Sequence, residues 1–152
     1  MHALFESYFD RLQAMHQQFI DAIEDVPQEG LDWVPGADMN SMVVLVVHTA
    51  GSQRYWVGDV VGGDYSARNR DAEFAAKGLD FEALKTCLMD VEAHTHKTLE
   101  ALTLETLSEM RPSWRDDNDP YNVAWALQQA LWHTGLHLGH LQITRQLWDQ
   151  RG

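Results

Sequence analysis

Between Asp119 and Arg145 the chain carries no Asp, Glu, Lys or Arg, and this uncharged stretch constrains the fold more than any other feature. Read as a helix from near Tyr121 to about Trp148, it has only a narrow polar stripe of Gln128, Gly135, Gly139, Gln142 and Gln146. A helix that is apolar nearly all round has to be covered on most sides. Within it, the string WHTGLHLGH (132 to 140) sets His133, His137 and His140 four and three residues apart. At ~100° per residue the three imidazoles fall within about 60° of one another on one face. Spacing alone leaves two readings open: a pair of imidazoles one turn apart can hold a divalent ion, or can be hydrogen-bonded core histidines. Gly135 and Gly139 lie roughly opposite, at a spacing that lets a neighbouring backbone approach closely. The neighbour expected there is a second copy of the chain, giving a homodimer; the alternative is cover by a connector.

The rest of the chain supplies three more helices. From Leu4, the residues Phe5, Tyr8, Leu12, Met15, Phe19 and Ile23 recur at three- and four-residue steps until Val26-Pro27, the pattern of one buried helix face. Residues 28 to 40 read as a connector, with turn chemistry at Gly30, Pro35, Gly36, Asp38 and Asn40. Asn40 or Ser41 then caps a second helix. Its valine-rich start, Met42 to Val47, also suits a strand, but the apolar pattern continues through Tyr55, Trp56, Val57, Val60 and Val61 to Gly62-Gly63, too long for one. Residues 62 to 79 are polar around a lone Phe74 and form a long loop with at most a turn of helix. Asp80 caps a third helix whose buried stripe is Leu84, Leu88, Val91, Thr95, Leu99 and Leu102. A second connector, about Ser108 to Pro120, holds Trp114 and an acidic turn at residues 116 to 119. The expectation is an all-α, four-helix bundle with long connectors, occupying 1-152 as one domain.

A formal net charge of -12 repels phosphate backbones and anionic headgroups, so neither nucleic acid nor a membrane surface is an expected partner. The one cysteine, Cys87, cannot form an internal disulfide, which fits a reducing cytoplasm. No basic leader with an apolar core opens the chain and no apolar run reaches membrane-spanning length.

If the histidine pair holds a metal, a third ligand is needed, since an open, catalytic zinc-type site has three protein ligands. His48 is the candidate. It sits mid-helix in an uncharged segment, with Val44, Ser52 and Tyr55 on its face, and bundles build metal sites from facing helices. His94 and His96 project to different faces of the charged third helix, and His2 and His16 share no paired spacing; these four are structural or exposed.

In its motifs the chain resembles the DinB/YfiT-like superfamily of metal-binding four-helix proteins. The resemblance runs through LDWVPGADMNSMVVLVVH (31 to 48), HTAGSQRYWVGD (48 to 59), RNRDAEF (68 to 74) and WHTGLHLGHLQITRQL (132 to 147), the last similar to an H-x-x-x-H-x-G-Q pattern. It implies metal ligands at His48, His133 and His137, with zinc or nickel as the expected ion. His140 stands where many relatives have glutamine, so no ligand role passes to it; its options are a hydrogen bond to a ligand, proton transfer or packing.

Three neutral imidazoles leave the ion's charge uncompensated, and a thiol bound there is deprotonated. The resemblance implies a thiol-dependent S-transferase or isomerase in which the metal activates a low-molecular-weight thiol toward an electrophile. Hydrolysis by metal-bound hydroxide is the alternative enzyme, and a non-catalytic dimeric metal-binding or stress-response module is the non-enzymatic one. Arg54, Arg68 and Arg70 concentrate positive charge in an acidic chain and suit a carboxylate-bearing thiol or substrate; salt bridges to Asp59, Asp71 or Glu73 are the plainer use. Tyr55 and Trp114 are further candidates for lining a substrate pocket.

Overall fold

The computed structural model describes residues 1 to 114 and 119 to 151; residues 116 to 118 of the expected acidic turn lie outside them. Helix α1 spans Ala3–Ile23 and α2 is a single turn, Gln28–Leu31. Helix α3 runs over Met42–Gln53 and continues without a break as a π-helical segment, Arg54–Val61. A five-residue helix α4, Arg70–Phe74, precedes α5, Phe81–Glu100. After a 3₁₀ turn at Glu105–Ser108, the two-residue strands β1 (Met110–Arg111) and β2 (Tyr121–Asn122) lead into α6, Val123–Asp149.

Caps act where the sequence places them. The Ser41 side chain accepts from Val44 N and the Asp80 side chain from Ala83 N, while Asn122 receives Trp125 N at 2.7 Å. Each oxygen satisfies one of the donors that a helix start leaves open. Helix α6 packs on α1 and on α3 with its π-helical extension, and α5 packs on α1 and α3. The four long helices thus close a ring, an all-α bundle of the expected class.

Two apolar clusters fill that ring. One gathers Phe19, Ile23, Met42, Val46, Leu84, Leu88, Leu138 and Leu141; the other gathers Phe5, Tyr55, Trp56, Val60, Leu99, Val123 and Ala130. Between them on α6 stand His133, Thr134 and His137, and on α3 stand His48, Thr49 and Gln53. The polar layer also holds His16, 1% exposed, whose Nδ1 meets Glu92 at 3.1 Å and whose Nε2 meets Gln53 Oε1 at 2.9 Å. Buried polar atoms are tolerated because they bond one another.

Several local expectations are corrected. The connector 28 to 40 contains the helical turn α2, because residues 28 to 31 close i→i+4 bonds that begin at the Pro27 carbonyl. The second helix does not stay α to its end; Gly62 N bonds the Val57 carbonyl, the i→i+5 spacing of a π-helix. Gly58 lies in that segment, where a Cβ would stand 2.7 Å from His94 Cε1; its absence lets α5 come close. The second connector contains an antiparallel pair, with Met110 opposite Asn122 and Arg111 opposite Tyr121. That pairing keeps Tyr121 extended and delays α6 to Val123.

The uncharged helix is also less covered than its composition suggests. Trp125, Trp132, Leu136, Ile143 and Leu147 are exposed along the side away from the core. Of the two glycines, a Cβ at Gly135 would meet Met15 Sδ of α1 at 3.6 Å, whereas a Cβ at Gly139 would meet nothing within 4 Å. Among the described residues no helix is long and apolar enough to cross a membrane.

Candidate metal centre

Helices α3 and α6 bring His48, His133 and His137 together at mid-bundle. His48 Nε2 lies 3.2 Å from His133 Nε2, and His133 Nε2 lies 3.0 Å from His137 Nε2. One nitrogen of each ring falls within 4.8 Å of the other two. Hydrogen bonding alone accounts poorly for this arrangement, because a neutral imidazole offers one N–H and three ring nitrogens here point at a common centre. Nitrogens around a tetrahedral ion at bonds of ~2.0–2.1 Å stand about 3.3 Å apart, close to the spacing found. The donor set therefore fits a divalent cation.

Electrostatics favours the neutral, ligating form. Burial, then the neighbouring His137 and His48 rings, pushes the His133 imidazole down to about 3. Burial, then His48 and His140, lowers His137 to about 4.

The rings differ in what holds their far nitrogens. His48 Nδ1 donates to Glu73 Oε2 at 2.8 Å, which fixes the tautomer and leaves the Nε2 lone pair free. Glu73, 7% exposed, is gripped in turn by Arg68, with Nε donating to Oε1 at 2.6 Å and Nη2 to Oε2 at 2.7 Å. Burial by itself would raise the Glu73 carboxyl, but the bonds from Arg68 and His48 outweigh it and hold the group below its ordinary range. Phe74 packs on the His48 ring at 4.5 Å between centroids. His137 Nδ1 lies 3.3 Å from His140 Nδ1. Among the described residues, none bonds the buried His133 Nδ1.

Glu73 is the residue that sequence reasoning missed; it figured there only as a salt-bridge partner for an arginine. One signal for it existed. Gly51 sits three residues past His48 in a helix where glycine costs roughly 1 kcal/mol against Ala. The structure shows why it is glycine: a Cβ there would lie 2.7 Å from Glu73 Cδ.

The other candidates are dispersed. Arg54 is bound to Asp59 at 2.7 Å and Asp64 at 2.9 Å, the plainer salt-bridge use. Arg70 lies over the Phe74 ring at 4.7 Å, one ring removed from His48. Tyr55 is buried, its hydroxyl donating to the Ser113 carbonyl, with the Arg68 guanidinium 5.6 Å from its ring. Trp114 is half exposed and donates from Nε1 to the Asp59 carbonyl at 3.1 Å. Of the remaining histidines, His2 caps α1, His94 pairs with Asp64, His96 lies 3.6 Å from Glu100, and His16 belongs to the buried network.

The profile of the DinB superfamily matches residues 11 to 141. The chain belongs to that superfamily. Its DinB fold is shared with a conserved protein from Enterococcus faecalis, at a TM-score of 0.83 and 16% identity over 99% of this chain and 100% of the other. It is also similar to a mycothiol-dependent maleylpyruvate isomerase variant, at a TM-score of 0.65 and 12% identity, covering 90% of this chain and 60% of that one. No curated protein matches this DinB-superfamily sequence.

Proposed function

We propose that this DinB-superfamily protein binds one divalent metal ion through Nε2 of His48, His133 and His137 and catalyses transfer of a low-molecular-weight thiol to an electrophile. The convergence of the three nitrogens, 3.0 and 3.2 Å apart, carries the reading. Zinc or nickel is the expected ion, because imidazole nitrogens suit both. When bound, the ion lowers the pKa of a thiol that reaches it and so supplies the nucleophile.

The protein's own groups prepare that step. Glu73 fixes the His48 tautomer, and Arg68 neutralises Glu73 while keeping it ionised. Both Glu73 oxygens are engaged, which weighs against a carboxylate general base and so against the hydrolase alternative. Arg70, adjacent to the Phe74 ring, is the arginine best placed for a carboxylate on the thiol or electrophile. Resemblance of fold to a mycothiol-dependent isomerase supports the thiol reading, and a reducing cytoplasm, where such a thiol and Cys87 both stay reduced, is the compartment proposed with it. The exposed stripe Trp125, Trp132, Leu136, Ile143, on a helix that carries no charge before Arg145 in an acidic chain, supports a homodimer through α6.

Metal analysis of the purified protein beside His48→Ala and His137→Ala tests the centre. Wild type should hold one ion per chain and both variants should lose it. Cobalt-loaded wild type titrated with cysteine, glutathione and mycothiol should show a new thiolate-to-metal absorption with at least one of them. Stoichiometric metal in both variants would sink the site, and an intact cobalt spectrum indifferent to every thiol would sink the transferase.

A further inference from the structure

His140 is exposed, one turn from His137 on the same face of α6, and their Nδ1 atoms are 3.3 Å apart. Only one hydrogen fits between two such nitrogens, so one ring gives and the other receives. If His140 gave it, neutral His137 would carry its own hydrogen on Nε2. That nitrogen faces His133 Nε2 at 3.0 Å and would then be closed to a cation. If His137 gives it, the Nε2 lone pair is free and points into the three-histidine centre. His140 is then protonated on Nε2, which costs nothing because the ring is exposed and water can accept the bond.

We propose that His140 is a positioning residue for the metal centre: it accepts the His137 Nδ1–H and so selects the tautomer and ring orientation in which His137 can ligate. The inference rests on the metal reading above. It gives His140 for His137 the part that Glu73 plays for His48, with a neutral acceptor in place of a carboxylate. His133, whose buried Nδ1 has no partner among the described residues, has no such support from them, so the outer support of the three ligands is graded. His140 also lines a cavity of about 260 Å³ with Asp38, Asn40 and Thr144.

The test compares wild type, His140→Gln and His140→Ala loaded with zinc, with affinity measured by competition against a chelating indicator and tautomers read from ¹⁵N shifts of labelled histidines. In wild type, His137 should show a protonated Nδ1 and a metal-bound Nε2. His140→Ala should weaken zinc binding roughly tenfold to a hundredfold while leaving the His48 tautomer and the Tm of the metal-free protein unchanged. His140→Gln, whose Oε1 can accept the same hydrogen, should return affinity to within about threefold of wild type. Affinity in His140→Ala within about twofold of wild type, or a His137 that ligates through Nδ1, would overturn the assignment. Wild type that takes up no zinc would instead overturn the metal reading, and that result appears before any His140 variant is compared.

Discussion

Gly51→Ala sets two opposed effects against each other. In an ordinary helix interior the change stabilises by roughly 1 kcal/mol. Here the added methyl would sit 2.7 Å from Glu73 Cδ, where carbon atoms normally approach to about 3.5 Å, so the carboxylate must retreat by nearly 1 Å. It has little freedom to do so, because Arg68 holds it at 2.6 and 2.7 Å and His48 at 2.8 Å. A hydrogen bond to a charged group is worth about 1.5–3 kcal/mol, and losing the one to His48 leaves a net cost of roughly 0.5–2 kcal/mol after the helix gain. For a chain of this length that lowers Tm by roughly 1 to 8 °C. Zinc affinity should fall about tenfold to a hundredfold as His48 loses its partner. Thermal unfolding and zinc competition measure the two effects. In a Glu73→Ala background the obstacle is gone, so Gly51→Ala should then raise Tm. A single variant that melts at or above wild type with unchanged zinc affinity would refute the claim that Gly51 exists to admit Glu73.

Glu92 offers a pH test away from the histidine centre. The hydrogen bond with buried His16, then the one from Gln13, outweighs burial and holds the Glu92 carboxyl below its ordinary value of 4.5. With the folded value depressed, the unfolded chain binds more protons just below that pH, so this stability is present above about 4.5 and is lost as pH falls through the folded value. Glu92→Gln should flatten the acid limb of a Tm-versus-pH curve; an unchanged slope would show that the hydrogen bond with His16 contributes nothing. For the α6 stripe, Trp132→Glu and Ile143→Glu should each shift sedimentation from dimer toward monomer, since a charge at a desolvated interface is strongly disfavoured. Wild type that sediments as a monomer at ~100 μM would remove the homodimer, as stable interfaces hold well below that concentration.

The four long helices were legible in the sequence because each buries one periodic face and carries its own start signal: Ser41, Asp80 and the apolar steps of α1 are local facts. The pair His133 and His137 was legible for the same reason, since four residues on a helix is one turn. Their meeting with His48 was expected from its place in an uncharged helix segment and from the resemblance, and it is a tertiary fact: residues 85 positions apart stand 3.2 Å apart only because α3 and α6 pack side by side. Nothing periodic announces Glu73 in a polar loop, nor the π-helical run over Arg54–Val61, because both depend on what another element brings up against them. The sequence by itself determined which faces are buried and which side chains can ligate, through local spacing and polarity. Only the tertiary structure decided which nitrogens converge and which carboxylate supports them, because such contacts are set by packing across the bundle.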